Sequence, residues 1–352
     1  MNRKELYLKS IEIIKNGQYE SGGYIACPTF PTYNYCWFRD SSYISYAMDL
    51  AGEHDSSAEF HHWAIENILK RKTDINEFLD GKNLNFEDVL HTRYTLSGEE
   101  GHEQWENFQL DSFGIWLWSL EEHLKITGNQ FTDKMKLAVS LVSSYLAALW
   151  QEPCYDSWEE NNEKRHIYTI ATIYRGLQSA ENLTGLNYSE ICHEIKNWIM
   201  TKGCNNGHLS KFEGSDAVDS NLLGVYFPGQ ILDINHPVMK KTMNKIQEDL
   251  YKSGGLHRYK LDTYYGGGIW ILLTAWLGIC LFDSGDKEEA EKILNWIISK
   301  TDNNGYLAEQ YTDSMNDESY LPVWIKKWGP SANPLLWSHA MYIILYNKIV
   351  NE

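Results

Sequence analysis

Six segments of this chain bring carboxylates, arginines or amides together with Trp and Tyr. The first is Tyr33-Asn34-Tyr35-Cys36-Trp37-Phe38-Arg39-Asp40, and the second ends in Trp105-Glu106-Asn107-Phe108-Gln109-Leu110-Asp111. The third is Tyr155-Asp156-Ser157-Trp158-Glu159-Glu160-Asn161, and the fourth leads into Asp216 and Asp219. The fifth holds Arg258-Tyr259 and Asp262-Thr263-Tyr264-Tyr265. The sixth holds Leu307-Ala308-Glu309-Gln310-Tyr311, with Trp337-Ser338-His339 further on. This mixture suits a sugar, whose C–H face packs on an aromatic ring while Asp and Arg bind vicinal hydroxyls by charge-assisted hydrogen bonds. Breaking a glycosidic bond then takes two carboxyl groups, one protonated and one ionised. Asp156, Glu159 and Glu160 are crowded enough for like-charge repulsion to raise the pKa of at least one. Glu309, alone between Ala308 and Gln310, is expected to stay ionised.

Single residues of this kind are weak signals. A lone loop carboxylate is most often a solvated surface group. Trp116, Trp118 and Trp296 fall on helical stretches and are expected in the core. Gly266-Gly267-Gly268 lacks the spacing of a phosphate-binding loop, and His61-His62 lacks the HExxH pattern of a zinc site. The six cysteines form no CxxC pair and have no zinc-like spacing with His. No metal or cofactor is expected.

The elements that must position these residues are helical. Met135, Ala138, Leu141, Val142, Tyr145, Leu146 and Leu149 follow the i, i+3, i+4, i+7 rule. Comparable patterns predict twelve helices near 3–16, 40–52, 56–72, 109–127, 130–151, 167–184, 187–201, 217–224, 235–250, 266–283, 286–300 and 331–350. Gly17, Gly52, Gly128 and Gly185 act as stop signals. Alternating strand patterns are nearly absent. Twelve helices make six hairpins, which can close into a ring with an inner and an outer layer. Long polar and aromatic loops recur at every second junction: 17–39, 73–108, 152–166, 202–216, 251–265 and 301–330. Alternate junctions of antiparallel helices lie at one end, so one face should carry the site.

Composition narrows the partners. A formal charge of −17 argues against nucleic acid, which needs a basic face, and against anionic lipid. Hydrophobic content of 43% excludes a disordered chain. The charged N-terminus has no apolar h-region, and IWILLTAWLGICLF at 269–282 is too short to span a bilayer, reading instead as a buried helix. Free cysteines in a chain of this length fit a reducing compartment, so a cytoplasmic location is expected.

In the same order along the chain, these segments resemble glycoside hydrolase family 15, the glucoamylases and their relatives. Trp37-Phe38-Arg39-Asp40 resembles the family's W-x-R-D, and Trp105 to Asp111 its W-x-x-x-Q-x-D. Tyr155 to Glu160 resembles Y-D-L-W-E-E with Ser157 replacing Leu, and Arg258 to Tyr265 resembles R-Y-x-x-D-T-Y-Y. Ala308 to Tyr311 resembles S-E-Q-Y, and Leu336 to Ala340 T-W-S-H-A. The resemblance implies an all-α (α/α)6 barrel and an inverting hydrolase that removes glucose from non-reducing ends of α-glucosides. It implies Glu159 as general acid and Glu309 as general base. Arg39, Asp40, Arg258 and Glu160 would hold sugar hydroxyls. Tyr33, Tyr35, Trp37, Trp105 and Trp158 would line the pocket, with Gln109, Asp111 and Asp262 also counted among the substrate-binding residues.

Residues 1–352 are expected to form one catalytic barrel, without the N-terminal β-sandwich of many prokaryotic members and without a starch-binding module. That favours short oligosaccharides such as isomaltose or maltose over starch. Trp324 and Trp328 in the sixth loop are expected to close the aglycone side. The alternatives are an α,α-trehalase of the same fold and a catalytically silent sugar-sensing domain, which the presence of both Glu159 and Glu309 disfavours. A monomer or weak homodimer is expected.

Overall fold

The periodic stretches become helices with bounds close to those read from the sequence. A computed structural model describes residues 1–82, 89–101 and 103–351. In chain order the helices are α1 (Arg3–Asn16), α2 (Phe38–Leu50), α3 (His54–Lys70), α4 (Lys72–Leu79), α5 (Asp111–Thr127), α6 (Asp133–Leu149) and α7 (Ile167–Thr184). They continue with α8 (Ser189–Lys202), α9 (Pro237–Leu250), α10 (Ile271–Asp283), α11 (Lys287–Ser299), α12 (Leu321–Trp328) and α13 (Leu336–Asn351).

An inner ring runs α2, α5, α7, the 3₁₀ segment Ser220–Val225, α10 and α13, each packed on the next, with α13 closing back on α2. Outside it lie α3 on α2, α6 and α8 on α7, α9 on the 3₁₀ segment, α11 on α10 and α1 on α13. This is the (α/α)6 barrel. Inner and outer helices differ as their burial requires. On α10 every residue from Ile271 to Phe282 is buried, and none of them is charged. On α11 only Ala290, Ile293, Leu294 and Ile297 are buried, one stripe of an amphipathic helix. At the α5–α7 crossing the backbones touch. A Cβ on Gly114 would lie 2.4 Å from the Thr172 carbonyl oxygen, and one on Gly176 would lie 2.7 Å from Gly114 Cα.

Three expectations are corrected. The helix expected at 217–224 is the short 3₁₀ segment, where Gly224 lies so close to Tyr168 and Trp276 that a Cβ would clash with both. The long loops contain structure of their own, since α4 falls in the second and α12 in the sixth. The helix expected from 266 starts at Ile271 instead. Gly266 and Gly267 have positive φ, and a Cβ on Gly267 would lie 2.1 Å from the Asp262 carbonyl oxygen, so the glycines form a tight turn.

Among the described residues eight two-residue strands stitch the loops together: β1 (Cys36–Trp37), β2 (Arg93–Tyr94), β3 (Cys204–Asn205), β4 (His208–Leu209), β5 (Tyr251–Lys252), β6 (Gly255–Leu256), β7 (Ile269–Trp270) and β8 (Gln310–Tyr311). β1 pairs with β2 and β3 with β4, while β5-β6-β7-β8 form one antiparallel sheet. Strands of two residues leave no alternation to read. Trp116 and Trp118 are buried as expected, but Trp296 is half-buried, its Nε1 donating to the Ser253 carbonyl over the turn at Gly254. No helix among the described residues is long and apolar enough to cross a membrane.

Candidate active site

The long loops meet at the end of the barrel where the inner helices begin, around a cavity of about 450 Å³. Five of the six contribute to its wall, and the fourth packs behind the third.

Arg39 and Asp40 occupy the first turn of α2 and line the cavity. Arg39 Nη1 donates to Gln109 Oε1 at 2.7 Å and lies 3.4 Å from the Asp111 carboxylate, which opens α5. Gln109 and Asp111 are buried behind the arginine and do not reach the cavity. Burial pushes Asp40 up to about 6, with Arg39 opposing the shift. Burial also pushes Asp111 up, again opposed by Arg39.

The third loop presents Trp158, Glu159 and Glu160 to the cavity. Its turn is built by Asp156, whose Oδ1 accepts the backbone N–H groups of Trp158 (2.9 Å) and Glu160 (3.0 Å). Glu159 at the apex has φ 67°, a left-handed conformation that non-glycine residues seldom adopt. Such strain persists only where the surroundings over-determine it, and it gathers at functional sites. Glu159 Oε1 accepts Trp37 Nε1–H at 2.7 Å. The crowding of carboxylates works differently from the expectation. Asp156 faces away from the cavity toward Lys211, and the rise at Glu160 comes first from burial, with Arg258 opposing it and Asp156 adding a lesser push.

The β7–β8 pairing sets Gln310 opposite Trp270 and brings Glu309 to the wall of the same cavity. Tyr33 Oη donates to Glu309 Oε1 at 2.9 Å, and Ser331 Oγ lies 3.4 Å from Oε2. The expectation that Glu309 stays freely ionised is corrected, because burial pushes it up to about 7 despite the hydrogen bond from Tyr33. Arg258, beyond β6, is gripped by Asp262, whose Oδ2 lies 2.8 Å from Nε, and its Nη2 reaches Glu160 Oε1 at 3.4 Å. Asp262 is fully buried behind Arg258 and off the wall.

Tyr33, Trp37, Trp105 and Trp158 stand on the wall as expected. Tyr35 does not. Its ring packs under the Arg93 guanidinium at 4.0 Å and faces a separate shallow depression with Tyr19 and Asn34. Arg93, unread in the sequence, also lies 3.7 Å from the centre of the Trp105 ring, and pairing of β1 with β2 places it opposite Trp37. Trp324 and Trp328 of α12 line the cavity, joined by Lys327, Tyr264, Trp270 and Trp337. Tyr264 and Trp337 belong to the recognised segments, but Trp270 heads a run read as core. The turn at Gly266–Gly268 was its available signal.

On the cavity wall the indole nitrogens of Trp105, Trp270 and Trp337 have no hydrogen-bond partner, and Arg39 Nε pairs with Asp40 Oδ2 at 3.4 Å. Unpaired donors beside a cavity are available to a ligand. Carboxyls on the wall, arginines held from behind and unpaired indole donors among aromatic faces are the groups that cleavage of a glycosidic bond requires.

The glycosyl hydrolases family 15 model matches residues 1–302, and the chain belongs to that family. It is 34% identical to an isomaltose glucohydrolase of Kribbella flavida over 98% of this chain and 92% of that protein. It is 23% identical to trehalase 1 of Sulfolobus acidocaldarius over 81% of this chain and 52% of that protein. A solved wild-type glycosidase superposes with a TM-score of 0.93 at 34% identity, covering 98% of this chain and 96% of its own. The protein is a glycoside hydrolase.

Proposed function

We propose that the protein removes glucose from the non-reducing end of short α-gluco-oligosaccharides, isomaltose or maltose in kind, by single displacement with inversion. Glu159 donates its proton to the departing glycosidic oxygen. Glu309 takes a proton from a water that attacks the anomeric carbon from the opposite ring face. Arg39 and Asp40, braced by Gln109 and Asp111, hold hydroxyls of the terminal glucose, and Arg258 and Glu160 hold others nearby. Trp324 and Trp328 close the aglycone side.

The observation that carries this reading is the pairing of Glu159 and Glu309 on one cavity wall in different settings. One sits on a strained turn under an indole N–H, and the other is buried and shares a phenol proton. The 450 Å³ cavity is at the small end of ligand sites, which supports an oligosaccharide over a polymer. Six unpaired cysteines support a reducing, cytoplasmic setting, and we expect a monomer or weak homodimer around one catalytic barrel.

The test combines glucose release from isomaltose, maltose, trehalose and soluble starch with NMR of the anomeric proton in the first minutes. Inversion of an α-linked substrate releases β-glucose first. Initial α-glucose overturns single displacement, and trehalose as the best substrate moves the reading to the trehalase branch that the 23% identical relative represents.

A further inference from the structure

Behind the third loop lies a buried cation that is not on the wall of the cavity. Lys211 belongs to the fourth long loop and is clamped at its backbone, its N–H donating to the Ala217 carbonyl at 2.8 Å and its carbonyl accepting Ile167 N–H at 3.4 Å. Its side chain is only 6% exposed. The ammonium lies 3.1 Å from Asp219 Oδ2, 3.5 Å from Asp156 Oδ2 and 4.0 Å from Glu160 Oε2, and 3.2 Å from the centre of the Tyr259 ring. Asp156 and Asp219 are themselves buried.

Each of these carboxylates holds part of the turn that carries Glu159. Asp156 Oδ1 accepts the N–H groups of Trp158 and Glu160. Asp219 Oδ2 accepts Trp158 Nε1–H at 2.9 Å. Glu160 accepts the Tyr259 hydroxyl and meets Arg258, which is otherwise committed to Asp262. Among the described residues Lys211 is the cation paired with Asp156 and Asp219. Its ammonium, 3.1 Å from Asp219 Oδ2, supplies the positive charge that opposes the burial of that carboxylate.

We propose that Lys211 is a positioning residue for the reaction, holding the 156–160 turn and with it the Glu159 carboxyl by neutralising the buried carboxylates behind that turn. This rests on Glu159 as the general acid. Without the cation, Asp156 and Asp219 must either repel each other in a buried site or take up protons, and either change loosens the turn. A shift of about 1 Å in a catalytic group is enough to cost ~10²-fold in rate.

The test is Lys211→Met, with Lys211→Arg as the conservative variant and Glu159→Gln alongside, assayed for kcat and KM on the best substrate across pH. Lys211→Met is expected to lower kcat about 10²-fold at pH 7 with KM changed by no more than about threefold, and Lys211→Arg to recover most of the loss. The groups facing the lost charge are Asp156, Asp219, Glu160, Tyr259 and Arg258. Protonating one of the carboxylates relieves their repulsion, so the deficit of Lys211→Met is expected to shrink as pH falls. A packing defect gives the same deficit at every pH, and that result overturns the proposal. So does a Lys211→Met kcat within about threefold of wild type while Glu159→Gln is inactive. If Glu159→Gln keeps its turnover, the acid assignment fails and the proposal with it. Should Lys211→Met not fold, Lys211→Met with Asp219→Asn removes one charge of each sign. That double variant is expected to keep kcat within about tenfold of wild type, and a lower value overturns the proposal.

Discussion

The two ends of the barrel bury carboxylates in opposite ways. At the end away from the cavity, Asp49 near the close of α2 is fully buried and surrounded by donors. His123 Nδ1, His54 Nδ1 and Ser57 Oγ lie 2.7–3.1 Å from its oxygens. Burial raises its pKa, but these hydrogen bonds outweigh it and the net shift is downward. Glu121 on α5 is equally served by Arg175, Lys125, Ser179 and Asn182, and is also held below the usual range. Nine residues before Asp49 on the same helix, Asp40 goes the other way, to about 6, and Glu309 reaches about 7. At the far end Asp49 and Glu121 are satisfied and gain stability from their partners. The cavity end leaves indole donors unpaired, and there burial works against the charged forms of Asp40 and Glu309. A site that must bind hydroxyls and move protons cannot satisfy itself beforehand.

The largest expected effect breaks the cavity end. Glu159→Gln or Glu309→Gln is expected to lower kcat by about 10³-fold or more, since each removes a proton-transfer role worth ~10²–10⁴. Steady-state kinetics with the best substrate measures it, and near-wild-type turnover in either variant removes that residue from the chemistry. Stability should move the other way at Glu309. Its pKa is raised from 4.5 to about 7 on folding, so the folded state gives up this proton later than the unfolded chain does. The linkage makes stability fall as pH rises from about 4.5 to about 7, with a loss on the order of 3 kcal/mol above that window. Glu309→Gln is therefore expected to be more stable than wild type at pH 8 and no more stable at pH 4, as denaturant unfolding at the two pH values reports.

Arg258→Ala attacks the same end through binding. It strips the partner from buried Asp262 and the hydroxyl-binding cation from the wall, and truncating one member of a buried charged pair costs roughly 2–5 kcal/mol. Loss of kcat/KM of about 30-fold or more with an unchanged helical CD spectrum is expected, because 1.4 kcal/mol is a factor of ten.

Asp49→Asn tests the far end. Replacing this hydrogen-bonded carboxylate is expected to cost about 1–3 kcal/mol of stability while kcat of the folded enzyme stays near wild type. Thermal unfolding and kinetics together report it. A large fall in kcat without a fall in stability would erase the contrast between the two ends.

The smallest effect sharpens it. Tyr33→Phe removes the hydrogen bond that opposes the burial of Glu309. A base must be ionised, so kcat/KM is expected to fall as pH drops below about 7, and Tyr33→Phe is expected to move that limb to higher pH. A limb that stays in place or moves lower would show that Tyr33 does not tune the base.

The sequence by itself determined the helix periods, the inner and outer layers and the clustering of chemistry on alternate loops. Apolar stripes follow from the 3.6-residue turn, and short against long junctions follow from antiparallel packing, so each is written locally. Even α10, buried from Ile271 to Phe282, is legible as a run with no charge over those residues. Ten of the fourteen residues named for the site stand on the cavity wall. What only the tertiary structure decided is which of those side chains face inward and in what charge state. Gln109, Asp111 and Asp262 look like ligands in the sequence, yet they brace Arg39 and Arg258 from behind. Tyr35 turns outward because Arg93, more than fifty residues later, captures its ring. Glu309 looks solitary in sequence and is buried in space, which reverses its expected ease of ionisation. Desolvation and ion pairing depend on what distant segments bring within a few ångströms, and spacing along the chain carries no record of that distance.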